Sequence, residues 1–413
     1  MHEFHYKEGI LHCEDTPLTE IVKKFPTPFF LYSAKTLLDH YLKMKEAFKE
    51  LNPLICFSVK SNANLNVCKL LVNAGAGLDI VSGGELYKAF KVGCPPERIV
   101  YASVGKTEAE VKKAIQAGIL FFNVESVPEL IMIDTVAKRL KKTPNVAVRI
   151  NPDVGAATHE YVTTGTKEKK FGVDFKVAED VFDNANKYSN VSLKGIHIHI
   201  GSQITETEPF VTAITRVLDF LDKSNIEIEW FNIGGGFGID YGKEKARTAQ
   251  ELASKIVPLL RGRSFKVIIE PGRFIAGNAG VLVCKVLYIK TGATGKRFAI
   301  VDAGMNDLLR PTLYKAYHEI LPVVKRKSKA QKYDIVGPIC ESGDYLALDR
   351  EFQELTAGNY LAVMGAGAYG FVMASNYNSR PRPAELLLAN KEVKIVRRAE
   401  THRDLIHGEK IVC

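Results

Sequence analysis

From about residue 28 to residue 275 the chain alternates short apolar runs with amphipathic stretches, the pattern of repeated βα units. The apolar runs 54–59, 77–81, 98–102, 119–124, 145–150, 193–200, 230–233 and 266–270 predict strands. Between them, stretches such as 64–73, 84–92, 107–117, 127–140 and 209–224 carry helical spacing. Eight such steps in roughly 250 residues are the number that closes a (β/α)8, or TIM, barrel, and they favour closure over an open doubly wound sheet. After Arg273 the pattern changes. β-rich runs at 281–288, 297–302, 333–336 and 359–364 are separated by polar turns without long helices. They predict a second, mostly antiparallel β domain over 276–413, joined by residues 1–27, which lack a βα partner if the barrel domain spans 28–275. The fold class is α/β.

Composition narrows the function classes. At 413 residues, with 46% hydrophobic and 25% charged residues, the chain is an ordinary globular protein with a large core. Its net charge of +9 comes from Lys and Arg that alternate with Asp and Glu along the predicted helices, and no arginine-rich, aromatic-interleaved stretch makes a nucleic-acid face. The densest basic run, Lys325-Arg326-Lys327-Ser328-Lys329, reads as an exposed loop. The seven cysteines are scattered and contain no CxxC pair, which argues against a disulfide framework and a zinc site. The N-terminus has no apolar signal region and no stretch is long enough to span a bilayer, so we expect a cytoplasmic protein without a membrane partner.

The chemistry clusters where strands end. Lys60 closes the run Leu54-Ile55-Cys56-Phe57-Ser58-Val59. A lysine there is either a solvated strand cap or a desolvated amine able to form a Schiff base. Barrel enzymes place their chemistry at the C-terminal strand ends and hold phosphate on the loops after strands seven and eight. Those loops are Gly234-Gly235-Gly236 and Pro271-Gly272-Arg273. Glycines admit backbone N–H groups to a phosphate, and arginine is a forked, permanently charged donor. Gly234-Gly235-Gly236-Phe237-Gly238 is not GxGxxG, so a dinucleotide fingerprint has little support. A phosphate cradle and a strand-end lysine in one barrel mouth point to pyridoxal 5'-phosphate. His197 and His199 raise a metal-dependent hydrolase as a rival, but in an undistorted strand only one of them enters the mouth, and no later strand end supplies another histidine. We therefore expect no metal.

Further motifs extend the pattern: Val59-Lys60-Ser61-Asn62, His197-Ile198-His199-Ile200-Gly201-Ser202-Gln203, Glu270-Pro271-Gly272-Arg273, Met305-Asn306-Asp307-Leu308-Leu309-Arg310-Pro311, Cys340-Glu341-Ser342-Gly343-Asp344, Gly367-Ala368-Tyr369-Gly370 and Tyr377-Asn378-Ser379-Arg380-Pro381-Arg382-Pro383. With them the chain resembles the diaminopimelate decarboxylases, pyridoxal-phosphate enzymes of the alanine racemase-like group, over about Phe29 to Pro383. Ser61 and Phe57 stand where that family often has alanine and tyrosine, and neither change removes a reacting group. The resemblance implies that Lys60 carries the cofactor, that His199 lies against its ring, and that Ser202, Gly235, Gly236, Gly272 and Arg273 hold its phosphate. Glu270 can keep the ring nitrogen protonated, which favours decarboxylation over racemisation.

By residue type alone Cys340 reads as a small buried hydrophobe, Glu341 as a solvated charge and Tyr369 as a packed aromatic with its hydroxyl at the rim. The resemblance instead implies that Cys340 donates the proton after CO2 leaves, and that Arg273, Arg310, Tyr314, Glu341 and Tyr369 contact substrate or cofactor. meso-Diaminopimelate ends in an ammonium and a carboxylate, which Glu341 and Arg310 can meet. Ornithine and arginine lack that distal carboxylate, so a decarboxylase of those amino acids is the runner-up, and a non-catalytic cofactor carrier is a third reading. The family also implies a two-fold homodimer with active sites shared between subunits.

Overall fold

Eight parallel strands close into a barrel: Leu54–Ser58, Gly77–Ile80, Ile99–Tyr101, Phe121–Val124, Asn145–Arg149, Ser192–His197, Trp230–Asn232 and Lys266–Ile269. They are the eight apolar runs of the sequence, trimmed by a residue or a few, except that the sixth begins one residue earlier, at Ser192. The last strand returns to the first through the pairs Ile268 with Leu54 and Ile269 with Ile55. The computed structural model describes residues 2–155 and 170–412. It divides into two units, one of residues 38–239 and 245–275 that contains the barrel, the other of residues 1–37, 240–244 and 276–413.

The barrel helices begin where the sequence supplies caps. Thr107 and Thr248 each form a reciprocal capping box, with Glu110 and Glu251, while Ser82, Ser126 and Asp174 each accept a first-turn backbone N–H. Inside the barrel, Cys56, Val100, Phe121, Ala147 and Ile268 pack into an apolar cluster. The following positions along the strands are different: Ser58, Asp79, Asn123, Arg149, His197, Asn232 and Glu270 all lie at C-terminal strand ends and are 5% exposed or less. One end of the barrel is therefore sealed by hydrocarbon, and the other carries a buried polar ring.

The second unit is built on a sheet whose successive strands are Tyr345–Phe352, Gln331–Val336, Arg297–Val301, Gly280–Thr291, Phe29–Ser33, Ala384–Ala389 and Glu392–Arg397. Tyr360–Val363 also pairs with Gly280–Thr291 and with Ile320–Pro322. Most pairs are antiparallel, with parallel pairing between Arg297–Val301 and Gln331–Val336 and between Phe29–Ser33 and Ala384–Ala389. A small hairpin sheet of Phe4–Lys7, Ile10–Cys13 and Thr16–Pro17 shares this unit's core, where Leu11, Leu31, Val281, Ala362 and Leu386 are fully buried.

One expected boundary moves. The alternating pattern puts residues 28–37 in the barrel domain, yet Phe29–Ser33 is buried at all five positions and hydrogen-bonded on both edges within the second sheet. A fully buried strand needs backbone partners on both sides, and here they are strands about 250 and 355 residues away in sequence. The segment 240–244 likewise belongs to the second unit. No helix among the described residues is long and apolar enough to cross a membrane.

Candidate active site

Glu270, one residue beyond the eighth strand, is the centre of the polar ring. Its Oε1 accepts from Asn232 Nδ2 at 2.6 Å and Asn123 Nδ2 at 3.2 Å, and its Oε2 lies 3.2 Å from His197 Nε2. Burial alone would raise this carboxyl's pKa, but His197, Lys60 and Asn232 outweigh it and hold the group well below the ordinary glutamate value, as a carboxylate. His197 and His199 both serve this end of the barrel because the strand stops at His197, so the alternation of an extended strand no longer governs His199.

Lys60 follows the first strand in a short 3-10 turn, Val59–Ser61. Its Nζ donates to Asp79 Oδ2 at 2.8 Å, and Ser58 Oγ sits 2.7 Å from the same oxygen. Lys60 thus joins two of its alternatives: the side chain is about one-third exposed, while its partner Asp79 is wholly buried. Asp79 is pushed above the usual aspartate value by burial and then by the Glu270 charge, against the pull of Lys60 and Ser58. Asp79 Oδ1, Asn123 Oδ1 and His197 Nδ1 are buried without a hydrogen-bond partner among the described residues.

His199 Nδ1 accepts the Gly235 N–H at 3.2 Å, so the neutral ring carries its proton on Nε2. Removal from water, then the charges of Arg149 and Lys60, hold its pKa well below the ordinary histidine value. Arg149 is itself fixed, with Nη1 on Glu125 Oε1 at 2.7 Å and Nη2 donating to the His199 carbonyl at 3.0 Å.

The glycine turn is tied to Glu270 by backbone bonds. Gly234 accepts the Glu270 N–H at 2.8 Å and donates to Asn232 Oδ1 at 2.9 Å. A Cβ at Gly235 would stand 2.0 Å from the Glu270 carbonyl oxygen, and one at Gly236, where φ is +97°, would stand 2.3 Å from the Gly201 carbonyl oxygen. Only glycine fits this close backbone approach. Arg273 Nη2 donates to Ser202 Oγ at 2.9 Å, joining the two loops that carry Ser202 and Gly272-Arg273. A lysine amine, a side-chain-free turn and an arginine–serine pair at one barrel end suit a phosphate-bearing aldehyde cofactor.

The remaining candidates lie in the second unit. Arg310 opens the helix Arg310–Tyr314, is buried, and stacks over Tyr241 and Tyr314 with its guanidinium carbon 5.2 and 5.7 Å from the ring centres. Its Nε–H donates to His318 Nε2 at 3.3 Å, while His318 Nδ1 meets the Met364 carbonyl at 2.8 Å. Tyr369 is partly buried, with φ at +56°. Cys340 is exposed, contrary to the buried cysteine its β context predicts, because it stands in the turn after Gln331–Val336 and not in the strand. Glu341 is exposed as expected and is bonded to Tyr377. Asp79, Asn123 and Asn232 have no role assigned from the sequence, nor have Arg149, Tyr241 and His318, although Asn232 opens the strand-end motif Asn232-Ile233-Gly234-Gly235-Gly236. For the first three a signal existed, since each is a polar residue within a short apolar run.

The family described as pyridoxal-dependent decarboxylase, pyridoxal binding domain, matches residues 34–277. A diaminopimelate decarboxylase from Aquifex aeolicus is 48% identical over 96% of this chain and 95% of its own length. Among solved structures, the diaminopimelate decarboxylase of Helicobacter pylori complexed with L-lysine is similar at 41% identity and a TM-score of 0.90, covering 94% of this chain and 98% of that one. That of M. jannaschii, in co-complex with L-lysine, is similar at 38% identity and a TM-score of 0.93, covering 99% and 98%.

The electrostatics of the barrel end are testable at Glu85, which accepts the Val81 N–H at 2.8 Å. Burial pushes its carboxyl up to about 7 despite that bond, and Asp79 adds to the rise against Lys60 and Lys88. A folded-state pKa above the unfolded value, about 4.3, confers stability that is complete below the unfolded pKa and lost as pH rises through the folded one. Glu85→Gln cannot ionise, so its denaturation midpoint should gain on the unmodified protein as pH rises through that window. A difference that stays constant with pH would contradict the assignment.

Proposed function

The chain belongs to the diaminopimelate decarboxylase family of pyridoxal-dependent decarboxylases, and on that premise we propose that it converts meso-2,6-diaminopimelate to L-lysine and CO2, the last step of lysine biosynthesis. It is a carboxy-lyase, and its cofactor is pyridoxal 5'-phosphate. The observation that carries the reading is the buried Glu270 carboxyl at the end of the eighth strand, met there by Asn232, Asn123 and His197. Bound pyridoxal phosphate supplies an electron sink for the pair left when the carbon–carboxylate bond breaks, provided its ring nitrogen stays protonated.

The residues divide that work. Lys60 Nζ would hold the cofactor aldehyde, and Asp79, which accepts from that Nζ here at 2.8 Å, would hold the ammonium when Lys60 is free. Glu270 would retain the proton on the ring nitrogen, which its low pKa lets it do as an anion. His199, kept neutral by burial and by the charge of Arg149 and oriented by Gly235, would lie against the ring face without adding a charge. Gly235, Gly236, Ser202, Gly272 and Arg273 would bind the phosphate. The Cys340 thiol would deliver the proton that takes the place of CO2 on the substrate carbon. At the distal end, Glu341 would meet the ammonium and Arg310 the carboxylate, with Arg273, Tyr314 and Tyr369 as further contacts. The buried, doubly stacked Arg310 supports a carboxylate partner: a substrate with only a distal cation would meet like charge there.

The cofactor groups come from one unit and the Cys340–Glu341 turn from the other. This division, with the family relationship, supports a two-fold homodimer in which Lys60 of one subunit works with Cys340 of the other.

Borohydride reduction followed by peptide mass analysis should place a pyridoxyl group on Lys60, and CO2 should be released from meso-diaminopimelate faster than from ornithine or arginine. An adduct on another lysine would refute the cofactor role, and preference for ornithine or arginine would refute the substrate. Lys60→Ala and Cys340→Ala chains, refolded together in equal amounts, should regain about a quarter of full activity, since about half the dimers are mixed and each has one intact site. No recovery in mixed dimers would refute the shared site.

A further inference from the structure

The run Tyr377-Asn378-Ser379 has no assigned part so far, yet it grips the turn that carries Cys340 and Glu341. Tyr377 OH donates to Glu341 Oε1, and Asn378 Oδ1 accepts the Cys340 N–H at 2.9 Å. The bond to Glu341 raises the Tyr377 phenol pKa, so the hydroxyl remains a donor at neutral pH. Asn378 and Ser379 both have φ of +54°, a left-handed pair that persists only where surrounding contacts dictate it. Such contacts are present: Asn376 Nδ2 reaches the Arg380 carbonyl at 3.1 Å and Glu400 Oε2 at 2.6 Å.

The other side of the same turn is anchored to the helix that carries Arg310. Asp344 accepts the Ile339 and Met305 N–H groups, each at 2.6 Å, and Thr312 Oγ1 donates to the Gly343 carbonyl at 2.6 Å. Thr312 lies within Arg310–Tyr314. Glu341 and Arg310, the acid and the base read above as the distal recognition pair, are thereby tied to one frame. Within that frame the Glu341 side chain is the loose member, because it is exposed, long and rotamer-rich. The Tyr377 bond is what fixes its carboxylate.

We propose that Tyr377 is a positioning residue that determines specificity: by fixing Glu341 Oε1 it presents the carboxylate to the distal ammonium of the substrate in one orientation. The inference rests on the assignment of Glu341 to that ammonium. Tyr377 acts through Glu341, so its loss should appear in substrate binding and vanish when Glu341 carries no charge.

The test is a double-mutant cycle on the cofactor-loaded enzyme. Tyr377→Phe should raise KM for meso-diaminopimelate about tenfold, as expected for loss of a hydrogen bond to a charged group, with kcat changed less than about twofold. The inhibition constant of L-lysine, which keeps an ammonium and a carboxylate on one carbon, should rise in parallel. In a Glu341→Gln background, Tyr377→Phe should change KM less than about twofold. Tyr377 is 42% exposed, so Phe leaves no cavity, and Tyr377→Leu serves as a second variant expected to behave alike. If Glu341→Gln raises KM but neither Tyr377 variant does, the Tyr377 role is overturned and the Glu341 assignment stands. An equal Tyr377→Phe effect with and without the Glu341 charge also overturns the role. If Glu341→Gln leaves KM unchanged, the Glu341 assignment itself fails.

Discussion

A carboxylate kept ionised out of water is the constraint around which the barrel end is organised. Desolvating Glu270 carries a penalty of several kcal/mol unless donors replace the lost water. Asn232, Asn123 and His197, from three other strands, are those replacements. Each must sit at the end of its strand with its side chain inward, so the register of four neighbouring and facing strands is coupled to one charge. The glycine turn is bound to the same residue through the backbone, which holds the turn read above as the phosphate site beside the carboxylate by construction.

Asp79 shows why position decides chemistry. It is as buried as Glu270 and has a lysine partner at 2.8 Å, yet its pKa goes up while that of Glu270 goes down. Glu270 has two amide donors and an imidazole, whereas Asp79 has one hydroxyl and one amine and feels the Glu270 charge. The same burial thus acts on two carboxyls with opposite outcomes, decided by the donors and charges around each. Glu270, with more donors, would suit pairing with a protonated ring nitrogen, and Asp79, bonded to Lys60, would suit an ammonium.

The barrel was legible because each strand is an apolar run bounded by polar turns, and its chemistry because Lys60, the glycine turn and Glu270-Pro271-Gly272-Arg273 all fall at strand ends. Asp79 and Asn123 carried a signal that went unused: an Asp within Gly77–Ile80 and an Asn within Phe121–Val124 must find partners once buried. Phe29–Ser33 falls in the other domain from the one its sequence position suggests, since a short buried run reads alike in either domain and its partners are remote in sequence. The stack of Arg310 on Tyr241 and its bond to His318 are tertiary in the same sense, as is the grip of Tyr377 on Glu341. The exposure of Cys340 was legible in part, because Gly337-Pro338 ends the strand Gln331–Val336 before it, whereas its residue type alone suggests burial.

The central claim is that Glu270 is an anion within the folded barrel. Infrared difference spectroscopy between the unmodified protein and Glu270→Gln, taken near pH 4 where a solvated glutamate is more than half protonated, tests it directly. The account predicts that the substitution removes a carboxylate stretch and leaves the protonated-acid carbonyl region unchanged. Loss of a protonated-acid band instead would show a neutral Glu270 and contradict the account.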